Sequence, residues 1–306
     1  MRDVYIYSMV IFQKYSNLIE QHFPGFKISC IKKVGEGDNS KAFLVNEKYI
    51  FRFPKKESVK QQLRREIFVL PKLKSALNLQ IPDFEFISPQ INFVGYKKIQ
   101  GEVLSNEILQ SLNKKQQVSV QKTIANFLSQ IHSFPLSDLQ NCALETMNLY
   151  EEYVDNFENA KKMIFPKISK NKREIITGLF TSYLSNKNNF DYTPTFVHND
   201  FSKDHILFDT VNKEITGIID FGDIAFGDPD YDFMYLLDEF GEDFIMEILK
   251  YYQVSNRPVS RNKIHFFTLA NKIQILLTSI RDNDNQEIKN ALKGLNKCVE
   301  KLALKK

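Results

Sequence analysis

Two aspartates on either side of a predicted β-hairpin constrain this chain more than any other feature of its sequence. Asp200 lies in the segment VHNDFSKDHILF at positions 197–208, and Asp220 follows the apolar strand predicted at Ile215–Ile219. A hairpin with one aspartate in its leading loop and another just after its second strand can direct both carboxylates to one point. The fold must therefore provide a scaffold that supports this hairpin and its paired carboxylates.

The hydrophobic pattern changes along the chain from strands to helices. Strands are predicted at 31–36, 42–53 and 91–99, with a helix at 57–77 among them, and Gln100-Gly101 ends this pattern. We therefore predict an α+β fold, with a small β-rich N-terminal domain at 1–100 and a larger, mostly helical domain at 101–306. The second domain is expected to hold a β-rich insert at about 195–221 and helices at about 106–112, 114–132, 144–164, 171–187, 230–252 and 260–303.

Composition is ordinary for a globular protein and argues against several classes. Of the 306 residues, 43% are hydrophobic and 25% are charged, and the net charge of +4 comes from scattered basic residues, so we expect no nucleic-acid partner. The three cysteines lie far apart and form no C-x-x-C pair, which fits a reducing cytoplasm. The apolar run Val4–Phe12 is too short to span a bilayer and lacks the features of a signal peptide. We expect a cytoplasmic monomer that enters no membrane.

Phosphoryl transfer is the chemistry that best uses two carboxylates placed in this way. One carboxylate must orient the attacking hydroxyl and accept its proton late, and the other must hold Mg²⁺ against the phosphate oxygens. By itself the tripeptide His198-Asn199-Asp200 would be an ordinary capped turn with a buried histidine. Its coupling to Asp220 at hairpin distance favours a kinase, with Asp200 as the catalytic base and Asp220 as a metal ligand.

These motifs resemble those of the aminoglycoside phosphotransferase and protein kinase superfamily. His198-Asn199-Asp200 is similar to the family pattern H-x-D, and Ile219-Asp220-Phe221-Gly222 is similar to I-D-x-G or D-F-G. Within the superfamily, the chain most resembles the aminoglycoside 2″-phosphotransferases. The resemblance lies in the segments HNDFSKDHILFD, GIIDFGD, DPDYDF, IFRFPK and GYKKIQGE. The resemblance implies a bilobal protein-kinase-like fold, in which a β-rich N-lobe ends in a hinge and a helical C-lobe follows.

The resemblance also implies a metal site. The residue five positions after Asp200 is asparagine in the family pattern and His205 in this chain. We expect His205 to bind Mg²⁺ together with Asp220, although magnesium prefers oxygen ligands and a core histidine is the alternative.

A nucleotide site is implied by the same comparison. The turn from Gly35 to Ser40 stands where a glycine-rich loop covers the phosphates, but only two glycines are present and an ordinary β-turn would look the same. Arg52 replaces the strand lysine that contacts the phosphates, and it keeps the positive charge with a different geometry. Glu66 is the expected helix partner of Arg52.

The segment FVGYKKIQG at 93–101 is expected to form the hinge. Backbone groups of Lys97 and Ile99 would then bind the purine edge, while Ile50 and Ile219 would enclose the base, with a role in the core as the alternative for the apolar residues. Tyr96 would stand at the inner wall of the base pocket and narrow it against adenine. We therefore expect GTP to be favoured over ATP as the phosphoryl donor.

An acidic stretch without Lys or Arg runs from Glu214 to Glu247 in a chain that is basic overall. Such a region attracts polycations that carry hydroxyl groups, as aminoglycosides do. Asp228 and Asp232 are expected to cap the following helix and brace its loop. By resemblance, the acceptor-binding candidates are Asp223, Asp238, Glu239 and Glu242, and a solvated helix face is the alternative for each.

Together, these patterns predict an aminoglycoside 2″-O-phosphotransferase that moves the γ-phosphoryl group of GTP or ATP to an aminoglycoside hydroxyl and confers antibiotic resistance. Two alternatives remain open. One is a kinase of the same fold that acts on another cationic alcohol, such as choline or a ketosamine. The other is a catalytically silent nucleotide-binding module, against which the intact Asp200 and Asp220 argue.

Overall fold

The computed structural model describes residues 2–37, 39–254 and 258–304, with side chains from Phe12 onward. The chain forms two compact units, and the predicted α+β class is confirmed. The first unit comprises Met1–Leu104, Ser137–Ala143 and His205–Asp223, and the second comprises Ser105–Leu136, Leu144–Asp204 and Ile224–Lys306. The predicted hairpin therefore packs with the first unit, although its sequence lies among the helices. The division of the chain into domains 1–100 and 101–306 stays a prediction.

A five-stranded antiparallel sheet forms the centre of the first unit. Its order is β1-β2-β3-β5-β4, and its strands are β1 (Ile31–Glu36), β2 (Ser40–Val45), β3 (Tyr49–Pro54), β4 (Phe84–Ile87) and β5 (Val94–Lys97). Helix α1 (Arg2–His22) precedes the sheet, and α2 (Glu57–Lys74) connects β3 to β4. The sequence had indicated one strand over 42–53, but Asn46 and Glu47 adopt positive φ angles of 52° and 54° and turn the chain between β2 and β3.

Alternation along β3 separates a core face from a polar face. Phe51 and Phe53 are buried, while Arg52 between them points to the other side of the sheet. The Phe51 ring also explains a glycine in the neighbouring strand, because a Cβ atom at Gly95 would lie 2.7 Å from that ring. The aromatic core beneath the sheet consists of Ile19, Phe43, Val45, Phe51, Phe53 and Phe93.

The hairpin forms a second, smaller sheet in the first unit. This sheet has the order β6-β8-β9 and contains β6 (Glu102–Val103), β8 (Ile206–Asp209) and β9 (Glu214–Ile218). The backbone of Gln80 joins it, because its N–H donates to the Thr216 carbonyl at 3.3 Å and its carbonyl accepts from the Ile218 N–H at 2.9 Å. A Cβ atom at Gly217 would lie 2.5 Å from the Gln80 oxygen, so this close approach requires glycine.

The second unit is helical apart from a short pair of strands. Strand β7 (Thr195–Val197) pairs with β10 (Ala225–Gly227). The helices that precede β7 are α3 (Asn106–Ser111), α4 (Lys114–His132), α5 (Leu149–Met163) and α6 (Lys170–Ser185). The helices that follow β10 are α7 (Met234–Phe240), α8 (Glu242–Leu249), α9 (Arg261–Arg281) and α10 (Asn285–Ala303).

Two interruptions divide the helical segments predicted near the C-terminal end of the chain. Gly241 has a φ of 88° and separates α7 from α8 within the segment predicted at 230–252. Asn283 has a φ of 55°, and the Asp284 side chain caps the start of α10 within the segment predicted at 260–303. None of the described helices combines the length and the apolar character that crossing a bilayer requires.

Candidate active site

A buried carboxylate, that of Asp232, accepts hydrogen bonds from the backbone of the loop that carries Asp200. Asp232 is 1% exposed, and its two oxygens accept hydrogen bonds from the backbone N–H groups of His198 and Asn199, each at 2.8 Å. Asn199 adopts a left-handed φ of 68°, which turns the chain immediately before Asp200. The sequence suggested that Asp232 caps the following helix and braces its loop, whereas its carboxylate binds the backbone just before the half-buried Asp200.

The Asp232 carboxylate is itself held by helix α4. His132 Nε2 lies 3.0 Å from Asp232 Oδ2, and His132 Nδ1 lies 2.7 Å from the Tyr252 hydroxyl. Buried polar groups of this kind are costly to leave unpaired, so the chain of contacts fixes the orientation of the carboxylate. His132 and Tyr252 were not found from the sequence, because an isolated helix histidine gives no sign of its partner.

A second carboxylate holds the loop on the far side of Asp200. Glu239 of α7 accepts a hydrogen bond from the Lys203 backbone N–H at 2.8 Å and lies 3.3 Å from the Lys203 ammonium. Burial raises the pKa of Glu239, and the bonds from Lys203 act against that rise. Glu239, predicted as an acceptor-binding residue, is therefore engaged with the loop that carries Asp200.

The first unit brings Arg52, Glu66 and Asp220 together. Arg52 Nη1 lies 2.9 Å and 3.2 Å from the two Glu66 oxygens, and its Nη2 lies 3.2 Å from Asp220 Oδ1. Burial opposes the charge on Arg52, but the two carboxylates outweigh it and raise the Arg52 pKa above its ordinary value. Burial raises the pKa of the fully enclosed Glu66 to about 7, against the opposing effect of Arg52. Arg52 thus links β3, α2 and the end of the hairpin.

Asp220 and His205 stand close enough to share one cation. His205 Nε2 lies 3.7 Å from Asp220 Oδ2, and the His205 carbonyl accepts the Ile219 N–H at 3.0 Å, which fixes the base of the hairpin. Two ligands of one octahedral Mg²⁺ are about 2.9 Å apart when adjacent and about 4.1 Å apart when opposite, from bonds of about 2.0–2.1 Å. The observed 3.7 Å matches neither spacing, and the pair would have to close by about 0.8 Å to occupy adjacent positions on one ion.

Two ligands are fewer than a protein-only metal site requires. Among the described side chains, at 12–37, 39–254 and 258–304, no cluster of three or more His, Cys, Asp or Glu is arranged to hold a metal ion. Mg²⁺ in phosphoryl-transfer enzymes is usually bound by one or two carboxylates together with waters and substrate phosphates. The arrangement of Asp220 and His205 therefore matches an ion that arrives with a nucleotide. Asp220 has a φ of 61°, a strained geometry that aspartate tolerates better than most residues and that is frequent at active sites.

The residues predicted around the base belong to the same unit. Ile50 pairs with Tyr96 across β3 and β5, and Tyr96 and Ile99 are each 6% exposed. Burial raises the pKa of Tyr96 to about 12, and the charges of Arg52, Glu66 and Asp220 also act on its hydroxyl. Lys97 is exposed and forms a 3.0 Å ion pair with Glu85, while Ile219 is half-buried.

Lysines gather around one carboxylate in the predicted phosphate loop. Glu36 pairs with Lys33, with Lys41 at 3.6 Å and with Lys55 at 3.1 Å, and these bonds lower the pKa of Glu36 to about 2. The Ser40 hydroxyl oxygen is buried and has no hydrogen-bond partner among the residues described. A buried hydroxyl of this kind can donate to a phosphate oxygen. Asp38, in the middle of the predicted loop, lies outside the described residues.

The predicted acceptor residues do not form one group. Asp223 belongs to the first unit, where it accepts a hydrogen bond from Gln62 at 2.8 Å, and burial followed by the charge of Asp220 raises its pKa. In the second unit, Asp238 and Glu242 line a cavity of about 560 Å³ between α7, α8, α9 and α10. Glu239 does not line it.

Comparison with known proteins gives this site a family. Residues 31–262 match the model of the phosphotransferase enzyme family called APH, and the chain belongs to this family of phosphotransferases. The GDP and kanamycin complex of APH(2″)-IIIa is 30% identical and has a TM-score of 0.87, and the match covers 93% of this chain and 98% of that one. The gentamicin complex of APH(2″)-IIa is 29% identical with a TM-score of 0.73, over 92% and 95% of the two chains.

A curated relative comes from Bacillus subtilis (strain 168), where the uncharacterized protein YcbJ is 23% identical over 265 residues, or 81% of this chain and 82% of YcbJ. The predicted protein-kinase-like fold and the resemblance to aminoglycoside 2″-phosphotransferases are confirmed by the family match and the structural similarity. The residue roles that the resemblance implied stay predictions.

Proposed function

We propose that this protein is an aminoglycoside 2″-O-phosphotransferase that transfers the γ-phosphoryl group of a nucleoside triphosphate, with GTP favoured, to an aminoglycoside hydroxyl. The observation that carries the proposal is the 30% identity, over 93% of this chain, with a protein solved in complex with GDP and kanamycin. The product would be an aminoglycoside that bears a phosphate, and the cell would gain antibiotic resistance. We further propose that the enzyme acts as a cytoplasmic monomer.

The donor half of the reaction rests on the first unit. Arg52, held by Glu66, would contact the nucleotide phosphates, and the buried Ser40 hydroxyl would donate to a phosphate oxygen. Mg²⁺ bound by Asp220 and His205 would neutralise charge on the phosphate oxygens during transfer. The backbone at Lys97 and Ile99 would bind the purine edge, and the base would lie beside Ile50, Tyr96 and Ile219.

The acceptor half rests on the second unit. Asp200 would accept the proton of the attacking hydroxyl, and the hydrogen bonds that the preceding backbone N–H groups donate to Asp232 would hold its position before substrate arrives. Asp238 and Glu242 would receive ammonium groups of the aminoglycoside in the cavity between α7 and α10. Asp223 of the first unit would add its charge, and Glu239 would act through the Lys203 backbone that it already binds.

A turnover assay with the purified protein tests this proposal. Nucleoside diphosphate release would be measured for kanamycin-type and gentamicin-type aminoglycosides and for choline, each with GTP and with ATP at matched Mg²⁺. We expect turnover with aminoglycosides, higher kcat/KM with GTP, and phosphate on the 2″-oxygen by NMR of the product. Asp200→Asn, which keeps the shape of the side chain, should remain folded and lose about 10²–10⁴-fold in kcat.

Two results would contradict the proposal. Turnover of choline without turnover of any aminoglycoside would assign the enzyme to another cationic alcohol. A folded Asp200→Asn variant that retains wild-type kcat would remove Asp200 from the role of base.

A further inference from the structure

The cavity between α7, α8, α9 and α10 carries more positive than negative side chains. Its lining includes the carboxylates of Asp238 and Glu242 and the ammonium groups of Lys272, Lys297 and Lys301. The acidic stretch that suggested a polycation site contains no Lys or Arg of its own. The lysines come instead from α9 and α10, which pack against it, so the cavity is not the bare acidic surface that the sequence suggested.

Both carboxylates of this cavity already have cationic or polar partners from α9. Lys272 Nζ lies 2.5 Å from Asp238 Oδ2, and His265 Nε2 lies 2.8 Å from Glu242 Oε2. The Asp238 side chain is 32% exposed and that of Lys272 is 20% exposed, so the ion pair is partly enclosed by protein. The Lys272 ammonium group thus occupies the position beside Asp238 that an ammonium group of the acceptor would take.

The stem of the Lys272 side chain lies beside α10. Gly294 of α10 faces its stem, because a Cβ atom at Gly294 would lie 3.8 Å from Lys272 Cδ. Lysine is also flexible and strongly hydrated, so its head group can leave a carboxylate and return to water when a competing cation arrives.

We propose that Lys272 is a specificity-determining residue, which acts as an internal cation that an ammonium group of the acceptor must displace from Asp238. This inference rests on the proposed function, in that the acceptor occupies this cavity. When an ammonium group of the acceptor replaces Lys272, the Lys272–Asp238 ion pair is lost and one ion pair between the acceptor and Asp238 is gained. The cavity therefore favours acceptors that fill it and replace Lys272 fully, and it binds simple cations weakly.

Calorimetric titration of kanamycin into the full-length protein without nucleotide tests the proposal. Lys272→Met removes the competing charge and keeps the length of the stem, and we expect Kd to fall by about three- to tenfold. Lys297→Met is the matched control, because it removes the same charge from the same cavity and the residues described give Lys297 no ion pair. Its Kd should stay within about twofold of the wild-type value. Lys272→Gln is the substitute if the methionine variant does not fold.

A double-mutant cycle separates displacement from general electrostatics. Asp238→Asn should weaken kanamycin binding more in the Lys272→Met background than in the wild type, because only there does the acceptor meet an unpaired carboxylate. An equal gain in affinity for Lys272→Met and Lys297→Met would overturn the proposal, since it would reflect total charge. Unchanged or weaker binding by Lys272→Met would overturn it as well.

Turnover measured on the same variants distinguishes this inference from the proposed function. Aminoglycoside phosphorylation without tighter binding by Lys272→Met would leave the function standing and remove Lys272 from its role. Tighter binding without phosphorylation by any variant would support the role of Lys272 and contradict the function. If no variant binds kanamycin and none turns it over, both the role of Lys272 and the proposed function are contradicted.

Discussion

Arg52 and Glu66 form a two-point ion pair from which water is almost excluded, with Arg52 Nη1 2.9 Å and 3.2 Å from the two carboxylate oxygens of Glu66. The Arg52 side chain is 12% exposed and that of Glu66 is fully buried. A buried carboxylate keeps its charge only when a partner compensates for the lost water, so the ionisation of Glu66 depends on Arg52.

The first prediction follows from this dependence. In Arg52→Ala the Glu66 pKa should rise above its value of about 7, because burial is no longer opposed by the guanidinium. A folded protein that holds a proton released by the unfolded chain loses stability as pH rises between the two pKa values. Because the wild-type carboxyl itself releases its proton near pH 7, the variant should lose stability relative to the wild type as pH rises above about 7, by up to about 1.4 kcal/mol per pH unit.

Urea unfolding at pH 6, 7 and 8 measures this loss. The double variant Arg52→Ala, Glu66→Gln has no carboxyl group to titrate at this position and is the control, whose stability difference from the wild type should not grow with pH in the same way. If the single variant shows the same difference from the wild type at all three pH values, Glu66 is not the group that Arg52 keeps ionised.

The second prediction concerns the cation. His205→Ala should raise the Mg²⁺ concentration for half-maximal turnover by about tenfold or more, because one of two protein ligands is lost. Asp220→Asn should abolish turnover at any Mg²⁺ concentration; asparagine is chosen over alanine because it tolerates the φ of 61° at this position. Titration of Mg²⁺ at saturating nucleotide and acceptor provides the measurement. An unchanged Mg²⁺ requirement in His205→Ala would make His205 a core histidine that supports the hairpin.

The third prediction concerns the base. Tyr96 is 6% exposed, and its ring stands beside the strand residue Ile50 with which it pairs. Tyr96→Ala should enlarge the base pocket and raise kcat/KM for ATP relative to GTP, and a change of about tenfold would correspond to about 1.4 kcal/mol. Tyr96→Phe keeps the bulk of the ring and should leave the preference unchanged. A wild-type enzyme that already prefers ATP under matched conditions would contradict the assignment of GTP.

The fourth prediction separates two neighbouring acids. Glu239 holds the backbone at Lys203, three residues after Asp200, whereas Glu242 lines the cavity beside His265. Glu239→Gln should lower kcat about tenfold with little change in acceptor KM, because misplacement of the loop affects alignment and not binding. Glu242→Gln should raise acceptor KM and leave nucleotide KM unchanged. Steady-state kinetics that show the same KM effect in both variants would place Glu239 in direct contact with the acceptor.

Patterns that depend on short-range geometry could be predicted from the sequence. Strand alternation turned Arg52 away from the core between two phenylalanines, and helical spacing made Glu66 available to it. The hairpin likewise brought His205 to within 3.7 Å of Asp220 because the two residues flank paired strands. These inferences used residues whose relation is fixed by one or two elements of secondary structure.

The charge of the cavity between α7, α8, α9 and α10 could not be predicted in the same way. The stretch from Glu214 to Glu247 contains no basic residue, yet Lys203, His265 and Lys272 supply partners to its acids from other elements. Which side chains meet across α7 and α9 depends on how the helices cross, and a single sequence does not contain that angle. His132 escaped prediction for the same reason, since its partner Asp232 is 100 residues away.

The discontinuous composition of the first unit has a consequence for how the protein is made. Its last segment, His205–Asp223, is synthesised about 100 residues after Leu104, a delay on the order of ten seconds at ribosomal rates. Until then Gln80 lacks the strand to which it bonds, and Arg52 has only one of its two carboxylate partners. The nascent N-terminal segment therefore remains incomplete, with unsatisfied hydrogen-bonding groups, until the hairpin has been synthesised. Faster translation of codons 105–204 would shorten the time for which the N-terminal segment is incomplete. Slower translation after codon 223 would not change that time.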